Sequence, residues 1–247
     1  MKDSDIKVKN NSVAVLGFHD GSAGQIETWF EETSGYHIAC FVHEAAKPLD
    51  IDAAAENRKR VSKLMSYPTK DSFKGRPFLV ALDWLDRLEN LGINKILPLS
   101  PDNYVRRKQI QACRLRGMEL VSAIHPSVQI LSDSIIAPGV WINAGSLIGY
   151  KAEIESGVLI NTGVQVDHHN VLKECCQLDP KVVTAGNVTL RECCHIHTAA
   201  TVINRIEIGH GAVIGAGAVV VKNIAPHSMA VGVPARVIKT WALPPCQ

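Results

Sequence analysis

Aromatic side chains are scarce in this sequence: Phe, Tyr and Trp together make up 5% of its 247 residues. A core that relies on large rings is therefore not expected, and the interior has to be filled by aliphatic and small side chains. Charge of one sign is not in excess either, since 26 Lys and Arg stand against 24 Asp and Glu for a net charge of +2. No basic stripe appears, which excludes the electrostatic footprint of a nucleic-acid binder. No apolar run approaches the roughly 20 residues needed to cross a bilayer, so no membrane association is expected. The opening Met1-Lys2-Asp3-Ser4-Asp5 lacks the apolar stretch of a secretory leader. The seven cysteines are an odd number without disulfide-framework spacing, which favours reduced thiols. A cytoplasmic location is the expectation from these absences. The length admits one large domain or two modest ones.

What is present is a beat of six. From Ile124 the residues Ile130, Ile136, Ile142, Ile148, Ile154, Ile160, Val166, Leu172 and Leu178 follow at six-residue steps, and the column continues through Leu190, Ile196, Val202, Ile208 and Ile214 to Val220. Only Thr184 interrupts the aliphatics. A second column four residues later is small or β-branched for most of its length, including Ala152, Val158, Val164, Cys176, Val182, Cys194, Ala200, Ala212 and Ala218. Neither the 3.6-residue helical period nor simple alternation produces such a beat. A fixed short repeat marks a solenoid whose coils stack only on their neighbours. Three six-residue sides give a triangular coil of 18 residues, with the aliphatics on its axis. Outward positions such as Trp141, Leu147, Leu159, Val183, Val213 and Val219 are more apolar than a lone prism should expose, which favours oligomers.

The first half follows another rule. Ser12 to Leu16 reads as a buried strand, then Gly17 to Gly24 as a glycine-rich turn, then an amphipathic helix to about Glu32. Strand, turn and helix in that order open nucleotide-binding α/β units, although glycines also simply permit a tight turn. Tyr36 to Val42 gives a second strand, Glu44 to Gly75 an irregular excursion, Asp83 to Leu91 a helix ended by Gly92, and Asn94 to Leu99 a third strand. Ser100-Pro101-Asp102 opens a helix running to about Arg116 and stopped by Gly117. Glu119 to Ile124 is a last strand, and after Val220 the segment through Ile238 should close the prism. Alternating strands and helices imply a parallel sheet. The expected domains are therefore residues 1–124, an α/β unit, and 125–247, the solenoid with its cap.

Within the solenoid, Asn161-Thr162-Gly163-Val164-Gln165-Val166-Asp167-His168-His169-Asn170 carries the most chemistry. Val166 points to the axis, so Asp167 and His168 fall on the outer surface at a turn. An imidazole there can take a proton near neutral pH, or the segment is only a solvated turn. Cys175-Cys176 and Cys193-Cys194 lie 18 residues apart and should stack, with His195 and His197 close by. Zinc is conceivable, but the spacing is not that of a usual thiolate site, and a buried thiol behaves as a compact hydrophobe. No metal is expected.

The repeat, with Gly215-Ala216-Gly217-Ala218 followed by Gly232-Val233-Pro234-Ala235-Arg236, resembles the left-handed parallel β-helix (hexapeptide-repeat) acyltransferases. Within that family the chain is most similar to the acetyltransferases of nucleotide-linked amino sugars and to their sialic acid O-acetylating relatives, which carry a small Rossmann-like domain ahead of the β-helix. The resemblance implies an acetyl-CoA-dependent transfer to an amine of a nucleotide-linked sugar, or alternatively to a hydroxyl, by a homotrimer. It carries over His168 as general base, Asp167 as its partner, and Asn161. For coenzyme A it implies Gly186, Thr198 and Ala216, with Lys222, Arg236 and Lys239 as phosphate contacts unless these cations merely face solvent. For the acceptor it implies Gly17, Gly24, Gln25, His43, Glu44, Asn103 and Gln177. Several of these depart from the family. Gln177 stands where a second active-site His is common, Gln25 where the turn usually ends in His, and His43-Glu44 in place of an acidic pair. Asn103 and Arg106 match the residues that open the later helix. Two rivals share the β-helix: a metal-dependent hydratase of the γ-carbonic-anhydrase type, and a non-catalytic scaffold.

Overall fold

The computed structural model describes residues 5–18, 20–45, 69 and 71–242. It divides into two compact units, Met1–Pro101 with Gln111–Val121, and Asp102–Ile110 with Ser122–Gln247.

The first unit is built on β1 (Ser12–Leu16), β2 (His37–His43), β3 (Ser72–Phe73), β4 (Arg76–Val80), β5 (Lys95–Pro98) and β6 (Glu119–Leu120), ordered β3-β4-β2-β1-β5-β6. All pairings are parallel except that of β3 with β4. The central strand β1 is buried along its whole length, as a parallel strand covered on both faces must be. Leu16, Val42, Leu79, Leu88 and Ile96 join one core. The chain builds outward from β1 through β2 to β4, then returns to place β5 on the other side of β1. That reversal is the point where Rossmann-like sheets bind ligands, beyond the carboxyl ends of the strands.

Local readings needed adjustment here. The glycine-rich turn is shorter than expected: a helix runs over Asp20–Glu27 and a second over Phe30–Ser34. Gly21 and Gly24 thus lie in helix, where glycine costs about 1 kcal/mol relative to Ala but is not forbidden. Of the excursion over 44–75, residues 46–68 and 70 lie outside the described residues. Strand β4 was hidden by Arg76 and Pro77, yet Phe78 and Leu79 are buried. Phe18 packs edge-on against Phe78, ring centroids 4.6 Å apart, and against Phe41 at 5.4 Å.

The helix expected from Ser100 spans Asn103–Leu115. Asp102 caps it, its carboxylate accepting the N–H groups of Tyr104 and Val105 at 2.9 Å each. Pro101 therefore stands before the cap instead of inside the first turn. The expected strand from Glu119 to Ile124 is split: Glu119–Leu120 pairs with β5, whereas Ala123–Ile124 is the first rung of the coil, pairing with Trp141–Ile142.

The second unit is a parallel β-helix with an unbroken 18-residue step. Trp141 pairs with Leu159, Leu147 with Gln165 and Glu153 with Val171, and every later coil repeats the register. Three sheets of eight, six and five strands form its faces. The two sequence columns make one continuous buried core. Thr184 is fully buried and turns its hydroxyl to the Gln165 carbonyl at 3.4 Å. A third column was not anticipated: every sixth residue from Asp133 to Gly217 has positive φ, His169, Cys175 and Cys193 among them. An L-residue in that region costs about 1–2 kcal/mol, and the cross-coil pairing holds each corner there. Strands Ser228–Val231 and Arg236–Thr240 pair antiparallel at the end of the eight-stranded face.

The outward apolar positions are less open than the sequence suggested. Trp141 and Leu159 are buried within the chain, at 2% and 5% exposure, while Leu147, Val183, Val213 and Val219 are partly covered. Among the described residues, no helix is long and apolar enough to cross a membrane.

Candidate active site

His168 sits on the corner that follows strand Gln165–Val166, and Asp167, His168 and His169 are all exposed. The corner is held from inside by Asn170, which is fully buried. Its amide nitrogen donates to the carbonyls of Asp167 (2.6 Å) and Ala185 (2.9 Å), and its oxygen accepts the Val188 N–H at 3.2 Å. One side chain thus pins the histidine turn to the next coil. Glycine provides close approach on both sides. A Cβ at Gly149 would come within 2.5 Å of the Asp167 carbonyl carbon, and one at Gly186 within 2.3 Å of the His168 ring. The imidazole therefore rests against the backbone of Gly186, one coil further along. The sequence gives this spacing, 168 plus 18, once the coil length is known.

The partner of the ring is not the expected one. Asp167 Oδ1 accepts the backbone N–H of His168 at 2.7 Å, whereas the His168 ring Nδ1 lies 3.0 Å from Nδ1 of His169. The rings meet edge to face at 5.2 Å. Nδ1 is thus engaged by its neighbour, and the Cε1–Nε2 edge of the His168 ring lies over Gly186. Adjacent residues reach each other here because His169 occupies the positive-φ corner. Tyr150 also packs edge-on against His169 at 5.5 Å.

The remaining β-helix candidates fall on two corners. His168, Gly186 and Lys222 are spaced by multiples of 18 and share one edge, Lys222 three coils above His168 and exposed. At about 4.8 Å per coil that is roughly 14 Å. Asn161 lies on the corner after strand Leu159–Ile160, with Thr198 and Ala216 two and three coils above on that edge. Asn161 turns its side-chain oxygen to the Thr162 N–H at 2.8 Å. Thr198 and Ala216 are exposed, and the Thr198 carbonyl accepts the Gly217 N–H. Arg236 and Lys239 lie exposed on the last strand. Within one chain, therefore, the structure joins His168 with Gly186 and sets Asn161, Thr198 and Ala216 on the neighbouring edge.

Asn103 is buried and donates to the carbonyls of Cys193 (3.1 Å) and Cys194 (3.2 Å), while its oxygen accepts from Arg106 at 2.7 Å. Arg106 is wholly buried and donates to the carbonyls of Gly157 (2.7 Å) and Cys175 (2.9 Å). Burial pushes its pKa down. The pair anchors residues 103–110 to the coil corners, and the side chain of Asn103 is occupied there.

In the first unit, Gly17 closes β1 with a φ of +81°, and a Cβ there would lie 2.4 Å from the Ser100 Cα. Its role in the fold is close approach at the point where strand order reverses. His43 ends β2 half-buried, burial pushing its imidazole below the ordinary range, and Glu44 follows exposed. Gly24 and Gln25 lie on the helix Asp20–Glu27 instead of in a turn, Gln25 exposed.

Gln177 lies on the eight-stranded face with its amide N–H donating to Asp179 Oδ1 at 3.0 Å. The other Asp179 oxygen faces His195 Nε2 at 3.0 Å and His197 Nδ1 at 2.9 Å. The cysteines beside them behave as core. Cys176 and Cys194 are fully buried in the axis cluster, and burial pushes the thiols of Cys175 and Cys193 up to about 12.

The chain thus combines a Rossmann-like sheet with a β-helix of 18-residue triangular coils that bears an exposed histidine on one corner. Comparison with known proteins agrees. The chain is similar to PerB of Caulobacter crescentus, solved with CoA and GDP-perosamine, at 27% identity and a TM-score of 0.78, covering 95% of this chain and 99% of that one, and to a mutant perosamine N-acetyltransferase of the same organism at 27% identity and a TM-score of 0.79, with the same coverage. The acetyltransferase domain of PglB from Neisseria gonorrhoeae, solved with acetyl coenzyme A, shares the fold at 23% identity and a TM-score of 0.76, covering 93% of this chain and 100% of that domain. Short stretches match serine acetyltransferases, 49% identical over 43 residues for that of Escherichia coli K12 and 54% over 39 residues for the "Putative serine acetyltransferase" of Schizosaccharomyces pombe. These cover 17% and 16% of this chain, and 16% and 14% of the relatives' own lengths. No protein-family model matches the sequence.

Proposed function

We propose that the protein transfers the acetyl group of acetyl-CoA to an amino group of a nucleotide-linked sugar, with His168 as general base. The observation that carries this reading is the His168 imidazole, exposed on a coil corner and seated against the Gly186 backbone. The likeness to a GDP-perosamine N-acetyltransferase along almost the whole chain supports it.

The chemistry asks little beyond alignment and a proton acceptor. The amine lone pair attacks the thioester carbonyl, its proton passes to the outer ring nitrogen of His168, and backbone N–H groups stabilise the oxyanion. Collapse of the tetrahedral adduct breaks the carbon–sulfur bond, and the thiolate leaves to take up the proton. Such a base contributes about 10²–10⁴ in rate. His169 holds the ring, and Asp167 holds the turn through the His168 amide.

The protein works as a homotrimer in the cytoplasm. In that assembly the edge bearing Asn161, Thr198 and Ala216 of one copy lines a groove with the His168, Gly186 and Lys222 edge of the next. Coenzyme A lies along this groove, with Lys222 near its phosphates, as does Arg236. The nucleotide of the acceptor is held beyond the carboxyl ends of β1, β2 and β5, by Gly17, His43 and Glu44, with Gln25 nearby.

The test is direct. Purified protein is incubated with acetyl-CoA and a panel of nucleotide-linked amino sugars, GDP-perosamine first, while free thiol and product mass are followed. Thiol release with an acetylated amino sugar is expected. No turnover on any member, together with no melting shift on adding coenzyme A, overturns the reading.

A further inference from the structure

On the outer surface of the eight-stranded face, along the edge that bears Asn161 and Thr198, stands a cluster to which the proposed transfer assigns no step. His195 and His197 flank the inward Ile196, so both rings stand on the outside, and Asp179 lies one coil below His197. The register of the coil, not a flexible loop, sets these positions. Asp179, His195 and His197 each bring one ligand atom to within 4.8 Å of the others. Two ring nitrogens converge on one carboxylate oxygen at 3.0 and 2.9 Å, and the rings are 4.0 Å apart.

We propose that Asp179, His195 and His197 hold a divalent transition-metal ion, zinc foremost. Two imidazoles with a carboxylate are an established donor set for zinc, with bonds of about 2.0–2.2 Å. A tetrahedral ion with such bonds sets its ligand atoms roughly 3.3 Å apart, a few tenths of an ångström more than the 3.0 and 2.9 Å that separate Asp179 Oδ2 from the two ring nitrogens. On binding, each neutral imidazole moves its proton to its other ring nitrogen and turns a lone pair to the ion. The supporting shell is also in place. Gln177 holds Asp179 Oδ1 and so aims Oδ2 at the rings, the kind of outer contact that orients metal ligands. The Gln177 carbonyl oxygen is itself buried without a hydrogen-bond partner.

Three protein ligands leave at least one coordination position open, as in zinc sites that bind water or substrate groups. The cysteines are not part of it. Their thiols are buried, whereas the donors here are partly exposed.

The experiment uses full-length, tag-free protein stripped with a chelator and titrated with zinc chloride by calorimetry, with cobalt(II) absorption as a second readout. About one ion per chain is expected, with a tetrahedral cobalt spectrum. Loss of outer-shell partners alone weakens metal sites about 10–100-fold, so Asp179→Ala and His195→Ala should each weaken binding at least tenfold while leaving the circular dichroism spectrum unchanged. Should both variants fail to fold, the wild-type titration and cobalt spectrum still decide. Absence of stoichiometric binding to the wild type overturns the proposal, as does binding that both folded variants retain. Because metal binding is the readout, neither result bears on acetyl transfer.

Discussion

The imidazole of His168 lies against the backbone of Gly186, where a Cβ would come within 2.3 Å of the ring. The two residues are 18 apart and meet because the coil repeats every 18. The ring is thus placed by the backbone of its neighbour coil, and a methyl group at 186 has to displace it.

Gly186→Ala should consequently separate activity from stability. Gly186 is not among the positive-φ positions, and the colliding group is a side chain at the surface that can rotate away. The melting temperature is expected to move by a few degrees at most, while kcat falls at least about tenfold because a misplaced base loses its alignment. Steady-state kinetics with a melting curve check this. Unchanged kcat would mean that the ring is not held by this contact.

Arg106 and Asn103 give a second expectation. Arg106 donates to the Gly157 and Cys175 carbonyls and to the Asn103 side chain. Arg106→Met removes those donors and leaves buried acceptors unpaired, each costing about 1–3 kcal/mol. Unfolding in urea should show a loss of about 3 kcal/mol or more. Arg106→Lys should recover only part of it, since an ammonium cannot reproduce the planar fork. A loss below about 1 kcal/mol for Arg106→Met would contradict the anchoring role.

The coil was legible because its rule is one-dimensional: once Ile124, Ile142 and Ile160 repeat in one register, the core follows. The corners were harder. His169, Cys175 and Cys193 adopt positive φ that nothing in their side chains announces, and the contact of His169 with His168 depends on it. Asn170 fell in the small column as an apparent exception, but its three hydrogen bonds make it the clamp of the histidine turn. The anchoring contacts of Asn103 were not legible because its partners, the carbonyls of Cys193 and Cys194, are some 90 residues away. In the first unit, Gly21 and Gly24 looked like a turn yet lie in helix, and Pro77 disguised β4.

The thiols supply a third expectation. Burial holds Cys175 and Cys193 at about 12, so thiolate is negligible near pH 8 and the native protein should resist iodoacetamide at both positions. Pulsed alkylation with mass spectrometry should label them only after unfolding. Cys176→Ala and Cys194→Ala should each cost about 1 kcal/mol and leave turnover intact, as removal of a small buried group does. Rapid labelling of native Cys175 or Cys193 would contradict the packing described.

The most direct measurement compares His168→Ala with His169→Ala under saturating acetyl-CoA and acceptor. His168→Ala should lower kcat by about 10²–10⁴ and leave acetyl-CoA affinity within a few-fold, because the proton leaves through this ring while coenzyme A is held elsewhere. His169→Ala removes the ring partner at 3.0 Å but not the base, and should cost less than about tenfold. Near-normal turnover by His168→Ala, with His169→Ala the crippled variant, would show that the base has been assigned to the wrong histidine.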